Sequence, residues 1–262
     1  MIRVGIGGWT YEPWRGLFYP DKLPKTKELS HASRRVTSIE VNGTFYSTFT
    51  PKTFRRWAEE TPDDFIFSLK APRFAVNRRV LAGAGPSIEK FLASGVSELK
   101  SKLGPILWQL APTKKYDPDD IAAFLALFPQ KIDGLKLRHA LEVRNESFRS
   151  AEFIAQVRKA GVAVVFADSQ KYPLIADLSA DFVYARLQDA KADVETGYSA
   201  KAIKSWATSA RAWEHGKEPD QFPLAAPKGK PLKSRDVFIY FINGAKERAP
   251  AAAEALIKRL GN

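Results

Sequence analysis

The chain has 262 residues, of which 45% are hydrophobic and 27% charged, as in an ordinary soluble globular protein. It contains no cysteine, which excludes disulfides and thiolate chemistry, and no apolar run approaches the roughly 20 residues that span a bilayer. The formal net charge of +12 favours anionic partners such as nucleic acid, nucleotides or phosphorylated metabolites. A basic surface that is merely solvated would explain the same charge.

The N-terminal segment MIRVGIGGW enters a strand-like pattern directly, without the hydrophobic region of a signal peptide. The lack of cysteine agrees with a reducing compartment. We therefore expect a cytoplasmic protein that does not insert into a membrane.

Eight short apolar segments, rich in Val, Ile and Phe, recur along the chain, as expected of strands buried on both faces. In chain order, the predicted strands are Ile2–Gly7, Val36–Asn42, Phe65–Lys70, Ile106–Leu110, Leu135–Val143, Val162–Asp168, Phe182–Leu187 and Val237–Ile242. Helix patterns lie between them, at Thr53–Glu60, after Asp117–Pro118, at Ser150–Ala160, at Lys201–Trp213 and at Ala249–Leu260. Asp117 is expected as the N-cap of its helix, with Pro118 in the first turn. Gly161 is expected to end the helix at Ser150–Ala160.

This alternation is typical of a barrel, and we predict an α/β fold, a TIM-type (β/α) barrel with a single domain over residues 1–262. A doubly wound open sheet is the main alternative. The segment GIGGW after the first strand, however, lacks both the G-x-G-x-x-G pattern and the P-loop lysine signature. The long connection Gln188–Arg235 contains the irregular segment PDQFPLAAPKGKPLK, which could act as a lid over the barrel mouth.

Polar residues stand where the apolar segments end, and the carboxyl ends of barrel strands meet around one mouth. Buried strands carry such groups when they are paired or functional. The candidate catalytic residues are Glu40, Lys70 and Glu142. The candidate substrate-binding residues are Trp9, Asn42, Tyr46, Gln109, Arg144, Asp168, Arg186 and Asn243. For Asp168, the alternative is an N-cap of the following helix.

Glu40 and Glu142 are expected roughly across the mouth from each other, where a separation of about 5–10 Å permits acid/base chemistry. The alternative is that cations neutralise both carboxylates in a buried ion network, because buried charges normally persist only when paired. We expect Lys70 to stabilise charge rather than act as a nucleophile. The guanidinium groups of Arg144 and Arg186 suit bidentate binding of an anion.

No metal or cofactor is predicted. The histidines are His31, His139 and His215, and none has the spacing of metal ligands. A Mg²⁺ or Mn²⁺ site built from Asp168 and the two candidate glutamates stays open, although three nearby cationic side chains argue against it.

Several segments together resemble the YecE-like family, also called domain of unknown function 72. VGIGGWTYEPWRGLFYP (Val4–Pro20) matches the opening pattern of that family, and the segment Ile39–Arg73 matches its E-x-N-x-T-F-Y and F-x-x-K-A-P elements. LGPILWQLAP, LEVRNESF, YARL and FIYFINGA follow in the expected order. The resemblance covers essentially the whole chain. It implies a TIM-type barrel but no particular reaction, because no activity is established for the family.

Three positions depart from the pattern of the family. Asn145 and Gln188 stand where histidine is common, and the last strand continues into Asn243–Gly244 rather than Asn-Asp. These departures weaken any imidazole-based mechanism carried over from relatives.

We therefore expect an enzyme that acts on a small anionic substrate, phosphorylated or nucleotide-like. Glu40 and Glu142 would serve as acid and base, while Lys70 and the two arginines would hold the anion. One alternative is a protein that binds or processes nucleic acid with a basic, aromatic-rich mouth. Another is a non-catalytic ligand-binding or scaffold barrel, since the fold alone does not define a function. The sequence does not indicate an oligomeric state.

Overall fold

Eight parallel strands pair side by side into a closed barrel, with the last strand hydrogen-bonded to the first. A computed structural model describes residues 1–261. The barrel strands are β1 (Ile2–Gly7), β2 (Ser38–Val41), β3 (Ile66–Lys70), β4 (Leu103–Gln109), β5 (His139–Glu142), β6 (Ala163–Asp168), β7 (Phe182–Leu187) and β8 (Asp236–Phe241). Each strand lies next to its neighbours in sequence. The predicted TIM-type α/β barrel is confirmed.

Helices pack around this barrel and cover the outward side chains of the strands. They are α1 (Glu28–Ala32), α2 (Gly43–Tyr46), α3 (Pro51–Glu60), α4 (Arg73–Val76), α5 (Gly85–Leu92), α6 (Pro118–Ala126), α7 (Ala151–Ala160), α8 (Ala200–Glu214) and α9 (Ala249–Leu260). Among the helices of residues 1–261, none has the length and apolar character that a membrane crossing requires.

Local sequence signals fix several helix ends. The Asp117 carboxylate accepts a hydrogen bond from the backbone N–H of Asp120 at the start of α6 (3.1 Å), as an N-cap should. The Ser150 hydroxyl accepts the N–H of Phe153 at the start of α7 (3.2 Å). Gly161 ends that helix with φ of 66°, in the left-handed region that glycine adopts without strain.

The predicted strand Leu135–Val143 is wrong in its first half. Only His139–Glu142 joins the barrel, while Leu135–Lys136 pairs antiparallel with Lys131–Ile132 in a short hairpin outside it. The two residues of the turn, Asp133 and Gly134, have positive φ angles of 47° and 80°, the backbone that a two-residue hairpin requires. An apolar run alone did not reveal this turn.

Other boundaries shift by a few residues. β2 is Ser38–Val41 rather than Val36–Asn42, and β4 starts at Leu103 rather than Ile106. In the described chain, residues 216–235 contain neither helix nor strand, in agreement with the irregular segment predicted there.

Inside the barrel, a tyrosine fills the layer below the strand ends. The Tyr240 hydroxyl lies 2.7 Å from the Ser38 hydroxyl and 2.5 Å from the Ser68 hydroxyl, on strands across the barrel. Gly5 makes room for this ring, because a Cβ there would lie 2.0 Å from the Ser38 carbonyl oxygen and 3.2 Å from the Tyr240 ring. This packed layer supports the charged residues above it.

We expect Gly5→Ala to lower the free energy of unfolding by about 3 kcal/mol, because the added methyl group must push backbone apart in a packed core. Urea unfolding followed by circular dichroism would measure the loss. Gly83→Ala is the matched control, since its added Cβ meets no atom nearer than 3.9 Å. Equal stability of the two variants would contradict the packing described for this layer.

Candidate functional site

A buried guanidinium joins two carboxylates at the carboxyl end of the barrel. Arg186 on β7 donates from Nε to Oε2 of Glu40 (3.0 Å) and from Nη2 to Oε1 of the same residue (3.1 Å). Its Nη1 donates to Oε2 of Glu142 (2.5 Å). Arg186 is 1% exposed and both glutamates are 0% exposed. The predicted cross-mouth carboxylates are thus held together by one cation between them.

Further donors bring each carboxylate to three accepted hydrogen bonds. The Tyr184 hydroxyl donates to Oε2 of Glu40 (2.8 Å), while Gln109 Nε2 donates to Oε2 of Glu142 (2.7 Å). Arg144 Nε donates to Oε1 of Glu142 (2.9 Å). Burial alone would raise the pKa of Glu142, but the charges of Arg186 and Arg144 offset it, and the pKa lies below its ordinary value. Glu142 is therefore a fixed anion at neutral pH.

A pocket of about 540 Å³ opens above this ion network, and we call it the mouth pocket. Seven of the predicted site residues line it, namely Asn42, Tyr46, Lys70, Gln109, Arg144, Arg186 and Asn243. Glu40 and Glu142 lie beneath its floor. The volume falls within the range of small-molecule sites.

Lys70 ends β3 at this floor and is 7% exposed. Its Nζ lies 4.2 Å from the centroid of the Phe45 ring. None of the hydrogen bonds or salt bridges found among residues 1–261 involves this atom, whereas the backbone carbonyl of Lys70 does accept a bond from Thr44. Lys102 is buried to the same degree, 8% exposed, yet its Nζ donates to the carbonyl oxygens of Ala58 and Thr61. Lys102 is a satisfied structural lysine, whereas Lys70 presents its ammonium to the pocket.

Burial lowers the pKa of Lys70 to about 8, and the positive charge of Arg186 acts in the same direction. The negative charges of Glu40 and Glu142 oppose the shift without cancelling it. A lysine with this pKa is partly deprotonated near neutral pH, whereas an ordinary lysine is almost fully protonated there.

Two further cations face the mouth pocket. Arg144 lies over the Tyr172 ring, with 4.2 Å from its Cζ to the ring centroid. Lys246 lies over the Tyr11 ring, with 4.2 Å from its Nζ to the ring centroid, and burial lowers its pKa. Within the described residues no Asp or Glu lines the pocket wall. Four cationic groups therefore line a pocket that has only two carboxylates near it, both buried beneath the floor. This excess of positive charge favours an anionic ligand.

Asp168 does not line the mouth pocket. In the strand register it pairs with Leu187, whereas its neighbour Ala167 pairs with Arg186, so the pleat turns Asp168 away from the barrel interior. Burial, and then the charge of Asp189, raises the pKa of Asp168 to about 6. The helix that Asp168 could have capped is absent, since the described residues 169–181 form an irregular connection.

Trp9 is also outside the pocket lining. Its ring packs edge-on against Trp57 (5.0 Å between centroids) and near Phe67 (6.4 Å), behind the strands. Trp9 therefore anchors the loop after β1 rather than facing a ligand.

At Asn145 and Gln188 the family resemblance predicts histidine, and here both side chains hold local structure. Asn145 accepts the backbone N–H of Ser147 (3.1 Å) and donates to the carbonyl oxygen of Pro112 (2.9 Å), which ties the loops after β4 and β5 together. Gln188 accepts from Asn243 (3.4 Å) beside the mouth. Asn243 itself has φ of 64°, a conformation that asparagine tolerates better than most residues.

Sequence reasoning missed Lys246 and Thr10 as lining residues and Tyr184 as the buried donor to Glu40. Alternation was a usable signal for Tyr184, because it stands two residues before Arg186 and shares its face of the strand. Lys246 follows β8 in a loop, where no strand pattern points to it. In residues 1–261 there is no group of three or more His, Cys, Asp and Glu side chains placed to hold a metal ion.

A closed parallel barrel whose strand ends surround a cationic pocket defines a TIM-type barrel protein with a polar pocket at its mouth. The description "Protein of unknown function DUF72" belongs to the family model that matches residues 3–262. The chain belongs to this DUF72 family, as the resemblance implied.

Two curated relatives match part of the chain. The UPF0759 protein YecE of Escherichia coli strain K12 is 28% identical over 143 residues, covering 53% of this chain and 49% of YecE. The UPF0759 protein YunF of Bacillus subtilis strain 168 is 27% identical over 161 residues, covering 60% of this chain and 55% of YunF. The chain thus spans about half the length of the curated relatives it matches.

Similarity to a solved structure extends over the whole fold. A DUF72 family protein from Thermotoga maritima MSB8 has a TM-score of 0.76 at 18% identity, with 100% of both chains covered. At this identity the similarity supports the barrel fold alone.

We expect Glu142→Gln to lower the free energy of unfolding by about 3 kcal/mol, because it leaves the buried charges of Arg186 and Arg144 undercompensated. Glu142 has a depressed pKa in the folded state, so its contribution is present above about pH 4.5, the ordinary value, and is lost as the pH falls through the folded pKa. Urea unfolding at neutral and acidic pH would therefore show a weaker acid dependence in Glu142→Gln.

Asp181→Asn is the control, since it makes the same chemical change in an exposed ion pair with Lys136. It should scarcely change stability or its pH dependence. A Glu142→Gln protein as stable as this control would contradict the network described here.

Proposed function

We propose that the protein is an enzyme that acts on a small anionic substrate, phosphorylated or nucleotide-like, bound in the mouth pocket. The observation that carries this proposal is the unpaired ammonium of Lys70 at the floor of the pocket, beneath which Glu40 and Glu142 each already accept three hydrogen bonds from other residues. An ordered cation without a protein partner favours a ligand that brings the missing negative charge.

In this proposal, Lys70 takes the acid/base role expected for Glu40 and Glu142. Both glutamates are enclosed beneath the floor and engaged by Arg186, so a substrate would have to displace a buried ion pair to reach them. They serve better as fixed counterions that hold Arg186 in place. Lys70, by contrast, lines the pocket directly.

The other cations would orient the substrate. Arg144 is held over Tyr172 and by Glu142, so its remaining N–H groups have a defined direction. Together with Lys246 it would bind the anionic group, leaving Lys70 to donate or accept a proton and to stabilise developing negative charge. A lysine whose pKa is about 8 suits this task near neutral pH.

We expect binding of inorganic phosphate, glucose 6-phosphate or AMP to weaken as the pH rises through about 8, because Lys70 then loses its charge. Calorimetric titration across this range should show a much larger change in the wild type than in Lys70→Gln, in which Lys246 remains. Arg144→Ala should bind the same ligand about tenfold more weakly at every pH.

Lys159→Ala removes an exposed lysine at the end of α7 and is the matched control, which should bind as the wild type does. Ligands that bind are then incubated with the protein, and products are sought by mass spectrometry. If Lys70→Gln and Arg144→Ala both bind the ligands as tightly as the wild type does, the proposed site is wrong. Ligands that bind with the expected pH profile but are never converted contradict the enzyme and favour a non-catalytic ligand-binding barrel.

Nucleic acid is the second candidate ligand, favoured by an open basic cleft beside the mouth. Arg78, Arg79 and Lys115 line this cleft together with Tyr116. Tyr46, at the mouth, is 64% exposed and offers a face for base stacking.

This candidate predicts that single-stranded oligonucleotides bind with an affinity that rises with length and falls steeply with salt. A double variant, Arg79→Gln with Lys115→Gln, should reduce the salt dependence, while Lys159→Ala should not. Fluorescence anisotropy would measure both. Binding that is independent of length and salt would exclude this candidate.

A further inference from the structure

A second cavity of about 320 Å³ lies beside the mouth pocket and shares a wall with it. The shared wall is the short helix α2 and the loop that follows. Gly43 and Tyr46, three residues apart, line the mouth pocket, whereas Thr44 and Ser47, also three apart, line the second cavity. Residues three apart share a helix face, so the two cavities contact different faces of one turn.

The interior of this cavity is aromatic. Phe49, Phe54, Phe74 and Phe91 line it, and Phe74 is left exposed at its edge. Its volume is about twice the roughly 150 Å³ of an apolar cavity that holds one benzene. It therefore has room for a phenyl ring or a short acyl chain with a small head group.

The rim of the cavity is cationic. Arg78 donates from Nε to the Phe74 carbonyl oxygen (2.7 Å) and from Nη2 to the Ser87 hydroxyl (3.0 Å). These neutral acceptors fix its direction without neutralising it. Lys90 also lines the cavity, and neither cation has a salt bridge within residues 1–261. Among the described residues, no Asp or Glu contributes to the lining.

We propose that this cavity is a second ligand site, which binds an aromatic or short-chain monocarboxylate. The apolar part of the ligand lies among the phenylalanines, and its carboxylate reaches Arg78 and Lys90 at the rim. This ligand differs from the phosphorylated substrate proposed for the mouth pocket, whose walls are mostly polar.

A ligand in this cavity also contacts the turn that organises Lys70. The buried Thr44 hydroxyl lies 2.7 Å from the Lys70 carbonyl oxygen, and the next residue, Phe45, covers the Lys70 ammonium. Two consecutive residues of one turn, Thr44 and Phe45, therefore connect the second cavity to Lys70.

Calorimetric titration with benzoate and hexanoate tests the proposal, with benzyl alcohol as the neutral probe. The wild type should bind both carboxylates saturably. The double variant Arg78→Gln with Lys90→Gln should weaken carboxylate binding about tenfold or more and leave benzyl alcohol within about twofold. Ser94→Phe, which fills the cavity from its wall, should abolish binding of all three probes.

Lys70→Gln separates the two sites, because it removes the cation on which the proposed mouth site depends and leaves the lining of this cavity unchanged. Carboxylate binding should survive in that variant. The proposal is overturned if the wild type shows no saturable carboxylate binding, or if binding persists in both the double variant and Ser94→Phe. It is also overturned if Lys70→Gln alone removes the binding, since the probes would then occupy the mouth pocket.

Discussion

The ion pair network around Arg186 is the constraint on which the rest of the site depends. Its guanidinium spans the barrel between Glu40 on β2 and Glu142 on β5, and all three side chains are withdrawn from solvent. A buried charge that loses its partner is costly, so the three groups must remain ionised and in register together. Tyr184 and Gln109 complete the donor set and leave the carboxylates little freedom to accept from a ligand. The layer below, built on Tyr240 and made possible by Gly5, fixes the height at which this network sits.

The same network sets the character of the pocket above it. Arg186 forms salt bridges with both carboxylates, so neither forms one with Lys70 at the end of β3. Burial and the neighbouring guanidinium both disfavour a charged Lys70, and a bound anion would reverse that balance. Glu40 and Glu142 thus hold Arg186 in place and leave the pocket above them cationic. The aromatic rings that cover Lys70, Arg144 and Lys246 hold these cations without neutralising them.

Much of this fold was predictable, because strands buried on both faces leave near-continuous apolar runs, and β1, β7 and α9 have the bounds expected from them. The hairpin before β5 was missed because its apolar residues merge with those of the strand, and only the Asp133–Gly134 turn separates them. Strand ends pointed to Lys70 and Arg144, and the structure places both in the lining of the mouth pocket. They also pointed to Asp168, which does not line the pocket. The pleat decides whether a strand residue faces the barrel interior, and the position of Asp168 at the end of its strand does not show which face it takes. The pairing of Arg186 with both glutamates depends on register around the closed barrel, which no local pattern contains.

The central claim is that Lys70 stays unpaired because other donors already engage Glu40 and Glu142, and the pKa of Lys70 reports this most directly. Nuclear magnetic resonance of lysines labelled with ¹³C at Cε, titrated with pH, would give that value, with Lys70→Gln used to assign the signal. This account predicts a lysine that titrates near pH 8 and is absent from the variant. A Lys70 signal that titrates at or above the ordinary lysine value of about 10.4 would contradict it, because that result requires Lys70 to be solvated or paired with a carboxylate.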